Sequence, residues 1–329
     1  MKISESCKPR KVSVINVSTP IVIPSFSSRG FPCIGSIHKD TKRYLGKSSL
    51  VSAYDIHYGN ISQDDIYASD ILFIDSGGYE AKPVADFTES YIDGRLSSGW
   101  STDYYEVVLE ELQPLSPLVI VNYDYSVPQP ISNQVDLAKI LFQKHPNYAT
   151  DFLYKPEIEG VNLINLDALI KNFQLINSFS ILGITEKELG DSLLERCRNL
   201  LQIRTALLEV GLETPIHIFG CLDPAVMIAY FLCGADIFDG LAWLRYTFDH
   251  GFATYHSTAT MMREQWCIPE NDLLVTHWIS NLEYLEALNR GMKRFCKTIS
   301  IKEFPMSQDI LKKVLCLVKQ SGIEIEGED

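Results

Sequence analysis

Short runs of mostly apolar residues recur along the chain at residues 12–17, 71–74, 118–121, 152–154, 179–184, 215–219 and 235–238. Both alternating positions of each run are largely apolar, which is the pattern of parallel strands covered on two faces. Helical rhythm fills the intervals. Leu193, Leu194, Cys197, Leu200 and Leu201 fall on one face of a helix. Asp223-Pro224 supplies an N-cap and a first-turn proline for an apolar helix that stops at Gly234. Ser280-x-x-Glu283 reads as a capping box, with Gly291 as a C-cap, and a last helix is expected over about residues 307–319. Strand and helix in alternation predict an α/β fold with a parallel sheet. No linker divides the chain, so one domain is expected, with residues 1–60 as an irregular N-terminal portion and residues 61–329 as the barrel or sheet proper.

At 329 residues and 46% hydrophobic content the chain can bury a large core. No apolar run reaches the length that spans a bilayer, the opening MKISESCKPRKVSV lacks a signal-like apolar stretch, and the scattered single cysteines read as the reduced, mostly buried thiols of a cytoplasmic protein. Eight scattered cysteines, none closer than 12 residues to another, give no zinc-ribbon or finger spacing. A net charge of −13 excludes a generally basic nucleic-acid coat. It leaves room for a local basic patch, for which Arg245 and Lys155 are the candidates near strand ends.

No strand is followed by G-x-G-x-x-G or by G-x-x-x-x-G-K-[ST]. Three of the strands run into aspartate instead: Ile71-Leu-Phe-Ile-Asp75, Val119-Ile-Val-Asn-Tyr-Asp124 and Ala235-Asp-Ile-Phe-Asp239. Each of these could simply cap the next turn. Together they suit a ligand site at the carboxyl ends of parallel strands, where a carboxylate cluster can do acid/base or nucleophilic work. After Asp75 come Gly77 and Gly78, which allow close backbone approach, and Tyr79, which could stack on a planar ring.

These segments resemble the tRNA-guanine transglycosylase family, the base-exchange enzymes of queuosine and archaeosine formation. Asp75-Ser-Gly-Gly-Tyr-Glu80 is similar to the family's D-S-G-G-[FY]-Q. Pro215-Ile-His-Ile-Phe-Gly220 through Gly234-Ala-Asp-Ile-Phe-Asp239 is similar to its L-M-G-V-G…G-x-D-M-F-D block. Arg245 stands where the family has the arginine of D-C-x-x-P-T-R, and Leu273-Leu-Val-Thr-His277 with Asn281-Leu-Glu-Tyr-Leu resembles L-L-T-x-H-N-L-x-x-Y. The resemblance spans residues 71–291 and implies a single (β/α)8 TIM barrel working by double displacement. It implies Asp239 as the nucleophile on C1′ of the ribose and Asp75 as the base for the incoming purine. Asp124 would bind the guanine-like edge, Tyr79 would stack on the base, and Gly77, Gly78, Gly183, Glu188 and Lys155 would complete the base site.

Departures from the family pattern are as informative. The C-x-C-x-x-C of the structural zinc is missing although His277 is present, so neither metal nor cofactor is expected and His277 reads as a hydrogen-bonded structural residue. Glu80 replaces glutamine, Tyr154-Lys155-Pro-Glu157 replaces a base-reading G-I-V-Q-G, Gly240 replaces cysteine, and no basic C-terminal appendage is found. The expected substrates are guanine or a 7-deazaguanine together with a polynucleotide. DNA is favoured slightly over tRNA, and a partner protein from a modification or antiviral defence operon is compatible. The alternative is an inactive barrel that binds a 7-deazaguanine or serves as a scaffold.

Overall fold

The structure is a computed structural model describing residues 1–81 and 99–325. Eight parallel strands close into a barrel: β1 (Ile21–Phe26), β2 (Ser48–Ser52), β3 (Ile71–Asp75), β4 (Leu118–Val121), β5 (Ala149–Tyr154), β6 (Ile181–Thr185), β7 (Ile216–Phe219) and β8 (Ile237–Gly240). Each strand pairs with the next in sequence, and β8 returns to β1 in the register Ile237↔Ile21 through Gly240↔Pro24. The expected (β/α)8 TIM barrel is therefore the fold.

Alternation within each strand divides the core in two. In β3, Ile71 and Phe73 pack inside the barrel with Ile21, Val121, Leu153 and Ile181, while Leu72 and Ile74 pack outward against the helices. Two covered faces explain why these segments read as continuous apolar runs.

Two barrel strands lie inside the portion expected to be irregular. Strand β1 carries Pro24, a residue that argues against a buried strand because it has no N–H to donate. Strand β2 is Ser48-Ser-Leu-Val-Ser52, yet all five residues are buried. Its hydroxyls are satisfied locally: Ser48 donates to the Val22 carbonyl at 2.7 Å, and the Ser49 and Ser69 hydroxyls are 2.8 Å apart. Hydrogen-bonded serines can be buried without the penalty that makes polar letters look like loop. The strand expected at 12–17 is instead a two-stranded hairpin, Lys11–Val12 against Val17–Ser18, with positive φ at Val14 and Asn16. It folds Val12 into the inner barrel core.

Helix Pro224–Leu232 begins as expected, with Asp223 Oδ1 accepting from the amides of Ala225 and Val226 at 3.0 and 3.1 Å. Helix Glu270–Thr298 does not begin at Ser280 or end at Gly291; it runs 29 residues through both. Gly291 is there for clearance, since a Cβ would lie 2.5 Å from the Glu303 carbonyl. The last helix, Gln308–Ser321, packs outside on Leu193–Glu209 and Pro224–Leu232.

Opposite the site, buried Asp236 accepts from Arg10 at 3.1 Å, from Arg204 and from the Ile216 amide at 2.8 Å. This ion cluster ties the N-terminal segment to the start of β8. Among the described residues no helix is long and apolar enough to cross a membrane.

Candidate active site

The strand-end aspartates converge on the C-terminal mouth of the barrel. Asp75 is the last residue of β3, Asp239 lies in β8, and Asp124 comes three residues after β4. Asp75 and Asp239 are held quite differently. Asp239 Oδ2 accepts from the Ser25 hydroxyl of β1 at 2.7 Å, and Oδ1 accepts from the Gly220 amide at 3.0 Å. Ser25 in turn accepts from the Gly240 amide at 3.1 Å, so its hydroxyl proton is directed at Asp239. Asp75 is held more loosely, with a long contact from the Gly77 amide, 3.4 Å to Oδ2. Burial, then the charges of Asp239 and Asp124, push its pKa up to about 6. The site thus contains one carboxylate clamped by donors and a second poised to gain or lose a proton near neutrality.

The turn after Asp75 uses its glycines to let protein groups pack closely on the side where a Cβ would lie. Gly77 has φ +81°, and a Cβ there would meet Tyr54 Cβ at 2.7 Å and Trp100 Nε1 at 2.9 Å. A Cβ on Gly78 would meet Asp124 Cβ at 2.7 Å. Gly183 is likewise a packing residue, since a Cβ would lie 2.6 Å from the Phe219 ring and 2.7 Å from Asp151 Oδ1.

Tyr79 stands exposed on the rim, but Arg29 lies over its ring at 4.5 Å and donates to its carbonyl. Arg245, on the short helix Ala242–Arg245, reaches the Tyr79 hydroxyl at 3.5 Å and the Phe31 ring at 5.9 Å. Two arginines and two aromatic rings therefore share one rim. Arg29 gives no signal in the sequence, because the strand that positions it, β1, does not read as one.

Beside the carboxylate pair, over β4 to β6, a cavity of about 810 Å³ is lined by Tyr123, Asp124, Tyr125, Lys155, Ile158 and Glu188, among others. Lys155 bridges its acids, pairing with Glu188 and lying 3.8 Å from Asp124 Oδ2. Burial lowers the ammonium pKa, but Asp124 and then Glu188 outweigh it and hold it above the ordinary value. Gln134 clamps the Lys155 backbone from both sides, at 2.9 Å each. As a rim cation for a polynucleotide, Lys155 is the wrong candidate; its charge is directed at two carboxylates.

Glu80, the departure from glutamine, accepts from the hydroxyls of Ser27 and Ser52. Burial, followed by Asp55 and Asp75, pushes its pKa to about 8. At neutral pH it is mostly the uncharged acid, a hydrogen-bonding group nearer in kind to the glutamine amide than its letter indicates.

His277 is fully buried, stacked on His256 with their Nδ1 atoms 3.2 Å apart, and burial lowers its pKa to about 4. His277 thus sits in a histidine pair, and Cys267 is exposed. Among the described residues no group of three or more metal-ligating side chains is found.

A further pair inside the barrel has no counterpart among the residues singled out from the sequence. His217 of β7 contacts Asp151 of β5 through Nδ1 at 2.6 Å, and its Nε2 lies 3.3 Å from Asp239 Oδ1. Comparison with known protein families and with curated proteins finds no match to the chain.

Proposed function

We propose that the protein is a guanine transglycosylase that exchanges guanine in a polynucleotide for a 7-deazaguanine. The observation that carries this reading is the mismatched pair at the mouth: Asp239 fixed by Ser25 and Gly220, beside Asp75 with its pKa raised to about 6. Glycosidic chemistry needs that asymmetry, because one carboxylate must attack the sugar while the other handles a proton.

In the first half-reaction an Asp239 oxygen attacks C1′ as the C1′–N9 bond breaks, leaving an ester to the sugar, while protonated Asp75 gives its proton to the departing guanine. In the second, Asp75 takes the proton from the incoming base, whose nitrogen attacks C1′ and frees the Asp239 carboxylate. The adjoining cavity suits a planar base, with Asp124 and Glu188 accepting from its N–H edge and Lys155 donating to a carbonyl. A target guanine must leave its stack to enter, so single-stranded or locally opened substrate is favoured. DNA is preferred slightly over tRNA as the acceptor, with Arg245 and Arg29 meeting its phosphates at the rim.

One observation favours a binding role without catalysis: Gly77 and Gly78 are closed over by Tyr54, Trp100 and Asp124, and Arg29 covers one face of Tyr79. Labelled guanine offered with tRNA or single-stranded DNA separates the readings. Incorporation that disappears in Asp239→Ala is expected. Calorimetric binding of the free base with no incorporation into either polymer would replace the enzyme reading with the binding one.

A further inference from the structure

The barrel interior beneath Asp239 holds two ionisable groups that the exchange chemistry above does not use. Asp151, on β5, and His217, on β7, are both 0% exposed. The register brings them together across β6: Leu153 pairs with Gly183, and Gly183 pairs with His217. Because position 183 is glycine, the Asp151 carboxylate and the Phe219 ring fit over this stretch; any side chain there would collide with both. The imidazole is walled by Phe219, with ring centroids 3.9 Å apart, and by the edge of Phe73 at 5.8 Å. Its titratable neighbours are Asp151 on one nitrogen and Asp239 on the other, and the charge of Asp239 in turn acts on Asp75 of β3.

A purely structural account of this chain of groups is weak. Hydrophobic residues of similar volume would fill a barrel layer at least as well as a buried ion pair. Asp151 Oδ1 and His217 Nε2, the latter 3.3 Å from Asp239 Oδ1, are both buried without a hydrogen-bond partner among the described residues, an arrangement that packing alone does not favour. The direction of the chain also matters, since it runs from the closed interior to the carboxylate at the open mouth.

We infer that His217 is a positioning residue for Asp239: seated on Asp151, it places a fixed positive charge and a ring N–H behind the nucleophilic carboxylate. The inference rests on the transglycosylase reading for its kinetic consequence, but not for its electrostatics. Burial alone would lower the imidazole pKa; Asp151 and then Asp239 reverse this and raise it to about 9. The imidazolium therefore persists across the neutral range. As Asp239 passes between carboxylate and sugar ester, its charge disappears and returns beside a group that does not move, so little reorganisation is needed.

Two measurements test this on the full chain. The first is ¹⁵N-histidine NMR titration of the free protein, with the His217 signals assigned by their loss in His217→Gln. A midpoint near 9 is expected, falling by about 1 pH unit in Asp239→Asn. A midpoint at or below that of ordinary histidine, or one unchanged by Asp239→Asn, overturns the inference whatever the protein catalyses. The second is guanine exchange. His217→Gln and Asp151→Asn should each lower kcat by about 10- to 100-fold with KM for the base within about twofold, and in Asp151→Asn the alkaline fall of the pH profile should move to lower pH. An unchanged kcat in folded His217→Gln refutes the positioning role. Absence of exchange in the wild-type protein refutes the transglycosylase reading instead, and the NMR titration then decides the electrostatic inference alone.

Discussion

Replacing Asp75 by asparagine should make the protein more stable at neutral pH, by an amount that depends on pH in a defined way. Burial and the charges of Asp239 and Asp124 raise the Asp75 pKa from 3.8 to about 6. The native state therefore holds this proton more tightly than the unfolded chain does. Below pH 3.8 the side chain is protonated in both states and the site carries no penalty. As pH rises from about 4 to about 6 the unfolded chain ionises first, and stability falls; above that window the full penalty remains. At about 1.4 kcal/mol per pH unit the displacement amounts to about 3 kcal/mol. The asparagine side chain has no charge to desolvate, and its carbonyl can keep the Gly77 contact. Urea unfolding of wild type and Asp75→Asn, measured from about pH 4 to 8, should thus show a gain of about 2–3 kcal/mol at about pH 7.5, about half that at about pH 5, and almost none at about pH 4. A variant less stable than wild type, or a gain independent of pH, would refute the crowded-carboxylate description of the site. The same variant should lose base exchange, which is the usual relation between a strained functional site and stability.

Three other outcomes bear on separate parts of the structure. Gly183→Ala forces a methyl to within 2.6 Å of Phe219 and 2.7 Å of Asp151, and should destabilise the barrel by about 1–3 kcal/mol in urea unfolding. Asp236→Asn leaves Arg10 and Arg204 facing each other without their shared carboxylate, and a loss of about 3–5 kcal/mol is expected by the same method. Prolonged treatment with a zinc chelator should leave the melting temperature unchanged, because His256, which contacts His277, is already engaged by Thr247 and the Leu244 carbonyl and no group of three metal-ligating side chains is found among the described residues; a lower melting temperature would point to a bound metal.

The legible parts of the fold are those where burial on two faces writes an unbroken apolar run, such as Leu118–Val121 and Ile71–Asp75. The first two strands are hidden for opposite reasons. Pro24 removes a donor from β1, and the serines of β2 look like loop until their hydroxyls are seen to be paired. The same logic divides the site. Asp75 and Asp239 are visible because each ends an apolar run. His217 lies inside a run, where one polar residue reads as an interruption. A signal exists even so: Ile216 and Ile218 face outward, so alternation turns His217 toward the barrel interior, where a charged group needs a partner. The glycines show the limit of the letters alone. A Gly-Gly turn after a strand looks the same whether the space is left for a ligand or taken by Tyr54, Trp100 and Asp124.

The central claim is that Asp239 forms a bond to the sugar, and the most direct test is the mass of the intermediate. The protein is mixed with a guanine-containing single-stranded DNA, and separately with tRNA, in the absence of any incoming base, then denatured and weighed. A covalent species equal to protein plus nucleic acid minus one guanine is expected, mapping by proteolysis to the peptide that carries Asp239. It should be absent in Asp239→Ala and still present in Asp75→Ala. No adduct with either polymer, or an adduct that maps to Asp75, would contradict the claim.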